Sequence, residues 1–141
     1  MLIGEYRPSI DQKGRVNFPS KLREDLGDSF IVTRTLGDKC LSVYSLTEWK
    51  KFEEKMASYP VAVTKALQRL VFAGATCIEP DKQGRILIPG HLRTYAELGV
   101  GEIVVIGVSN RCEIWSTDNW DATASELSNE DVNKILLDLG I

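Results

Sequence analysis

The 141-residue sequence has one histidine, His91, and three scattered cysteines, Cys40, Cys77 and Cys112, with no C-x-x-C pair among them. Each shortage excludes something. A Ser–His–Asp or Cys–His system would have to use His91, and nothing in the sequence brings a nucleophile to it; His91 reads as a basic surface residue. One histidine and dispersed cysteines do not make a metal site, and an odd cysteine count gives no disulfide framework. No G-x-x-x-x-G-K-S/T and no G-x-G-x-x-G occurs, so no nucleotide loop is marked. No apolar run approaches the roughly 18 residues of a membrane span. Glu5 and Arg7 fall where a secretory signal would be apolar. The expectation is a protein of the reducing cytoplasm that binds no cofactor or metal, makes no membrane contact and is not an enzyme.

What the chain has is a mixed composition, 43% hydrophobic and 26% charged, suited to a folded domain or two small halves sharing a core. The net charge of −3 argues at first against a nucleic-acid partner. The charge is segregated, however. From Arg7 to Arg23 five basic residues stand against Asp11, a net of +4, whereas from Glu113 to Ile141 seven acids stand against Lys134, a net of −6. A local basic surface is compatible with an acidic total.

The strongest signal is an internal repeat. DQKGRVNFPSKLR, from Asp11 to Arg23, returns 70 residues later as DKQGRILIPGHLR, from Asp81 to Arg93, with identities in the pattern D-x-x-G-R-x-x-x-P-x-x-L-R. Further on, Val43-Tyr44-Ser45-x-x-x-Trp49 matches Ile114-Trp115-Ser116-x-x-x-Trp120. Each unit reads as strand, turn, strand, short helix, strand, turn, strand. Gly14 and Gly84 supply the positive φ of the D-x-x-G-R turn. Val16, Phe18, Ile86 and Ile88 alternate as a strand does. Pro19 and Pro89 end that strand and open helices that Gly27 and Gly99 are expected to stop. Between the units, Ser45 to Glu48 has capping-box spacing, Tyr59-Pro60 breaks the helix that follows, and a second helix carries Ala62, Ala66, Leu67, Leu70 and Val71 on one face. Ser128 opens a last amphipathic helix with Val132, Ile135, Leu136 and Leu139. The expected class is α+β, divided as 1–50 for the first half-domain, 51–74 for connecting helices, 75–121 for the second half-domain and 122–141 for the terminal helix.

Within the repeated turns, Asp11 and Asp81 could suggest an acid–base pair, but each has an arginine four residues on that would hold it ionised. A purely architectural account suits Asp11, Gly14, Asp81 and Gly84: the carboxylate folds onto backbone N–H groups, glycine takes the turn and arginine pairs with aspartate. It accounts less well for Arg15 and Arg85 together with Lys13 and Lys82 in the same turns, Arg7 before them, and Arg23 and Arg93 one helix later. Guanidinium groups on short rigid turns suit phosphates and guanine edges. Tyr44, Trp49, Trp115 and Trp120 could stack on bases, but packing of helices onto each half is the favoured role.

At these residues the chain resembles the MraZ family of bacterial transcriptional regulators, within the AbrB-like, swapped-hairpin group. The likeness runs through GEY near the start, D-x-K-G-R at Asp11 to Arg15, P-x-x-L-R at Pro19 to Arg23, L-x-x-W ending at Trp49, and D-K-Q-G-R-I-L-I-P from Asp81 to Pro89. The resemblance implies two tandem AbrB-like swapped-hairpin half-domains in one chain with peripheral helices. It implies a ring-shaped homo-oligomer, an octamer being the size it suggests, in the cytoplasm and associated with the nucleoid. It further implies binding to double-stranded DNA at direct repeats upstream of the division and cell-wall gene cluster that includes its own gene. The family's DNA-contacting arginines correspond to Arg15 and Arg85. Asn17, within the first post-turn strand, and Gly90-His91 after Pro89 depart from the pattern. The rival class is an AbrB-like, antitoxin-like module that binds a protein.

Overall fold

In a computed structural model that describes residues 1–126 and 129–141, the chain is α+β. The order is β1 (Glu5–Tyr6), β2 (Ser9–Ile10), β3 (Arg15–Asn17), α1 (Ser20–Leu26), β4 (Phe30–Arg34), β5 (Leu41–Ser45), α2 (Leu46–Ala57) and α3 (Val61–Gly74). It continues with β6 (Thr76–Ile78), β7 (Arg85–Leu87), α4 (Gly90–Tyr95), β8 (Gly101–Gly107), β9 (Cys112–Ser116), α5 (Thr117–Glu126) and α6 (Asn129–Leu139). The unit expected from the repeat is therefore present twice. All ladders are antiparallel and run β6-β4-β5-β9-β8-β2-β3-β7, with β1 also on β8.

The pairing exchanges material between the halves. β6 of the second half pairs with β4 of the first, and β1 and β2 of the first pair with β8 of the second. Two ladders join equivalent strands directly. In β3–β7, Val16 faces Ile86, with Arg15 opposite Leu87 and Asn17 opposite Arg85. In β5–β9, Ser42 faces Glu113, with Leu41 opposite Ile114 and Val43 opposite Cys112. In both ladders the central pair consists of corresponding residues of the two copies, and the flanking pairs exchange under the same correspondence. An approximate two-fold axis thus passes through Val16–Ile86 and Ser42–Glu113.

One core serves both halves. Val16, Phe18, Leu22, Phe30, Val32 and Val43 share a buried cluster with Ile86, Ile88, Leu92, Ile103, Val105 and Ile114. The alternation in β3 and β7 produces this arrangement, because Val16 and Ile86, each 1% exposed, point inward while their neighbours point out. α1 and α4 contribute Leu22 and Leu92, three residues after the prolines that cap them. Half of the expected capping box forms: Ser45 Oγ accepts from the Glu48 N–H at 3.2 Å, whereas the Glu48 carboxylate accepts from Lys51 Nζ at 3.1 Å. Tyr44, Trp49, Phe52 and Phe72 fasten α2 and α3 to the first half, and Trp115 packs on Trp120 with ring centres 5.6 Å apart. These aromatic rings pack helices. Among the described residues, no helix is long and apolar enough to cross a membrane.

Three local expectations change. α4 ends at Tyr95, short of Gly99, because Glu97 takes the left-handed position at φ 57° and the Leu98 N–H returns to the Arg93 carbonyl at 2.9 Å. Burial of Leu98 fastens that early stop. On α3, Val71 is buried as expected but Ala62 and Ala66 are exposed; Thr64 and Gly74 are the other buried positions, set by the seat of the helix on β4. α6 forms, but Val132, Ile135, Leu136 and Leu139 remain 36–67% exposed. Ser128, its expected start, lies outside the described residues.

Both turns call for glycine through a left-handed φ, and at Gly14 the β3–β7 contact adds a backbone obstacle. Gly14 has φ 89°, and a Cβ there would lie 2.7 Å from the Ile88 carbonyl oxygen; Gly84 has φ 79°, and a Cβ there would lie 2.6 Å from Arg23 Nη2. Gly14→Ala is expected to lower stability by about 1–3 kcal/mol, from left-handed backbone strain plus the backbone collision. Gly99→Ala, in open space with no such φ, should be close to neutral. Urea unfolding midpoints of the two variants check this; equal midpoints would remove the interlock argument.

Candidate nucleic-acid interface

Each D-x-x-G-R turn is built around one carboxylate. Asp11 Oδ1 accepts from the N–H groups of Lys13 and Arg15, both at 2.9 Å, and Oδ2 accepts from Arg15 Nε at 2.7 Å. Asp81 repeats the arrangement with the N–H groups of Gln83 and Arg85 at 2.9 Å and Arg85 Nε at 2.9 Å. Backbone bonds close each loop in both directions: Gly14 N–H to the Asp11 carbonyl and Asp11 N–H to the Arg15 carbonyl, with the Gly84, Asp81 and Arg85 counterparts. These bonds involve Asp11, Gly14, Asp81 and Gly84 in the shape of the two turns.

It does not use up the arginines. Only Nε of Arg15 and of Arg85 is engaged with its aspartate, in ion pairs whose side chains are 36–43% exposed. Among the described residues, Nη1 and Nη2 of both arginines have no hydrogen-bond partner within the chain. A guanidinium anchored at Nε and open at its outer edge is restricted in rotamer yet keeps the paired donors that match phosphate or the O6/N7 edge of guanine.

The β3–β7 register brings the two turns together. Arg15 and Arg85 sit at diagonal corners of an outward face whose other corners are Asn17 and Leu87. Asp11, Arg15, Asn17, Arg85 and Val100 line one shallow depression there. Lys13 and Lys82 are exposed at the turn tips but at non-equivalent places, because the first loop reads Gln12-Lys13 and the second Lys82-Gln83. The surroundings also differ. The second turn borders a depression lined by Glu24, Asp28 and Glu79, whereas Ser9 occupies the place of Glu79 beside the first.

The other basic candidates, Arg7, Arg23 and Arg93, have partners inside the chain. Arg23 Nε donates to the Phe18 carbonyl at 3.1 Å, and its guanidinium lies over Gly84 of the opposite turn. Arg93 Nε donates to the Ile88 carbonyl at 3.0 Å and lies over Gly14. Each half thus braces the turn of the other, a use of the repeated P-x-x-L-R that sequence spacing does not show. Its only trace in the sequence is that a glycine and the last arginine of the motif recur together. Arg7 pairs with Glu5 and Glu102 at 3.2 Å and Asp121 at 3.4 Å. His91 is exposed, with Nε2 3.3 Å from the Gly74 carbonyl. The thiols of Cys40 and Cys112 are buried, and burial pushes both up to about 12, so they remain protonated apolar filler.

The chain is a duplicated α+β protein with paired arginine turns on one exposed face, and comparison with known proteins gives its family. The model of the family described as "MraZ protein, putative antitoxin-like" matches residues 1–70 and again 71–137. Proteins called "Transcriptional regulator MraZ" are 50% identical in Caldicellulosiruptor saccharolyticus, 48% in Alkaliphilus metalliredigens and 47% in Halothermothrix orenii, each across 100% of both chains. The chain belongs to the MraZ family, a family of regulators and not a known class of enzyme.

The electrostatics of the turns give a pH dependence. The Asp11 carboxyl is held below its ordinary 3.8 by the Arg15 N–H first and the Arg15 side chain next, and the Arg85 N–H has the largest effect on Asp81. A depressed folded value stabilises above the unfolded value and is lost as pH falls through the folded one. The contribution of these turns should therefore be complete above about pH 5 and fade below about pH 4. Asp11→Asn/Asp81→Asn keeps an acceptor for the backbone but removes the charge. In urea titrations from pH 7 to pH 3 it should show a shallower acid limb than the parent, and identical limbs would contradict the assignment.

Proposed function

We propose that the chain is a sequence-specific DNA-binding transcriptional regulator that reads duplex DNA with the outward face of the β3–β7 ribbon. One observation carries this: the ladder sets two arginines, each anchored by its own aspartate and each with free outer nitrogens, on a single exposed face. A two-stranded ribbon with three residues per strand is about 10 Å long and suits a major groove about 12 Å wide. Arg15 and Arg85 are the base-reading residues, and Lys13 and Lys82 contact phosphate. Arg23 and Arg93 act one step back by holding the turns, and Arg7 remains in its carboxylate cluster. The half-domains are 1–50 and 75–121, of AbrB-like swapped-hairpin type, joined by 51–74 and followed by 122–141; the exchange of β1, β2 and β6 between halves supports this.

The relatives' names carry the regulatory role, and the family resemblance carries the target: direct repeats upstream of the chain's own gene in a division and cell-wall cluster, bound in the nucleoid of the cytoplasm. A ring-shaped homo-oligomer, an octamer in size, would set many such faces along successive repeats. Linked weak contacts could then gain up to about 10²–10⁴ in avidity and offset the acidic total charge. The exposed apolar side of α6 supports assembly between copies.

The test is binding to DNA from upstream of the chain's own gene, intact and scrambled, across a salt series. The intact repeats should bind more tightly at every salt concentration. Arg15→Ala and Arg85→Ala should each cost about 1–3 kcal/mol while circular dichroism stays unchanged. Equal affinity for intact and scrambled DNA would refute sequence-specific reading.

A further inference from the structure

The structure assigns a base-contacting, specificity-determining role to Asn17 and Leu87, an inference that rests on the DNA-reading function above. The two-fold axis through Val16–Ile86 exchanges Arg15 with Arg85, and it exchanges Asn17 with Leu87. The arginines therefore obey the symmetry of the ribbon, and the other two corners break it. Arg15 with Leu87 forms one end of the outward face, and Asn17 with Arg85 forms the other.

Both odd corners are available. Leu87 is 57% exposed, a large aliphatic side chain that adds nothing to the buried cluster on the opposite face. Asn17 is exposed, and among the described residues its amide has no hydrogen-bond partner. Directly opposed residues of an antiparallel pair hold their Cβ atoms about 4.5–5.5 Å apart, so each odd corner reaches the same stretch of groove as the arginine opposite it. The chemistry of each corner selects a base. An asparagine amide can donate to and accept from the N7/N6 edge of adenine, and an aliphatic side chain meets the 5-methyl group of thymine. Arginine prefers guanine at both ends. The face thus reads guanine beside a thymine methyl at one end and guanine beside adenine at the other. The ribbon is nearly two-fold symmetric, yet it presents a different pair of readers to the groove at each end.

The test starts from an element selected by the full-length protein from random duplex DNA, with affinities measured for that element and for its single-base variants. Asn17→Ala should lose about fivefold to a hundredfold on the selected element, and one adenine position should become indifferent to base identity. Replacing thymine by deoxyuridine removes only the methyl group. At one position this should cost the parent protein about three- to fivefold and leave Leu87→Ala unaffected. Asn17→Leu/Leu87→Asn exchanges the odd corners and should bind best to an element selected afresh with its polarity reversed. If Asn17→Ala and Leu87→Ala keep the parent's preference at every position while Arg15→Ala and Arg85→Ala lose binding, this inference fails and the DNA-reading function stands. If the arginine variants bind as the parent does, or no element is enriched, the DNA-reading function itself fails.

Discussion

The site depends on the antiparallel pairing of β3 with β7. Without it the chain would carry two separate Asp–Arg turns about a repeat apart. With it, Val16 and Ile86 seal the inside, the Phe18 N–H bonds to the Gly84 carbonyl, the Ile88 N–H bonds to the Gly14 carbonyl, and both arginines emerge on one face. The same pairing sets the Ile88 carbonyl oxygen 2.7 Å from where a Cβ of residue 14 would lie, and both turns take a left-handed φ that favours glycine. It also places Arg23 and Arg93 across from the halves that supply them.

This gives the six repeated residues of the motif separate tasks. Asp fixes the turn by accepting three N–H groups, Gly lets the other half approach, and the first Arg is oriented by the carboxylate while its outer edge stays open. Pro opens the short helix, Leu enters the shared core, and the last Arg clamps the opposite turn. Both ion pairs are too exposed to be a major source of stability. Their effect is orientation: a guanidinium tied at Nε has already lost much of the rotamer freedom that binding would otherwise cost.

Much of this was legible in the sequence because it is local. The turn chemistry of D-x-x-G-R, the caps at Ser45 and Pro19, and the alternation of Val16 and Phe18 each need only a few consecutive residues. Where a tertiary neighbour decides, local signals fall short. α4 stops before Gly99 because burying Leu98 favours a left-handed Glu97. The buried side of α3 follows its seat on β4, so its alanines face out. Arg23 and Arg93 look like free cations in sequence, and only the position of the opposite turn shows their carbonyl and glycine partners.

The sequence by itself determined the duplication, the α+β class and the identity of the turn residues, since these follow from composition, period and turn propensity along the chain. The tertiary structure alone decided that the two copies form a single face, that its symmetry is broken at Asn17 and Leu87, and that Arg23 and Arg93 each lie across the turn of the opposite half. Strand pairing between residues some seventy positions apart is set by the burial of both halves in one core, and no local pattern encodes which strand meets which.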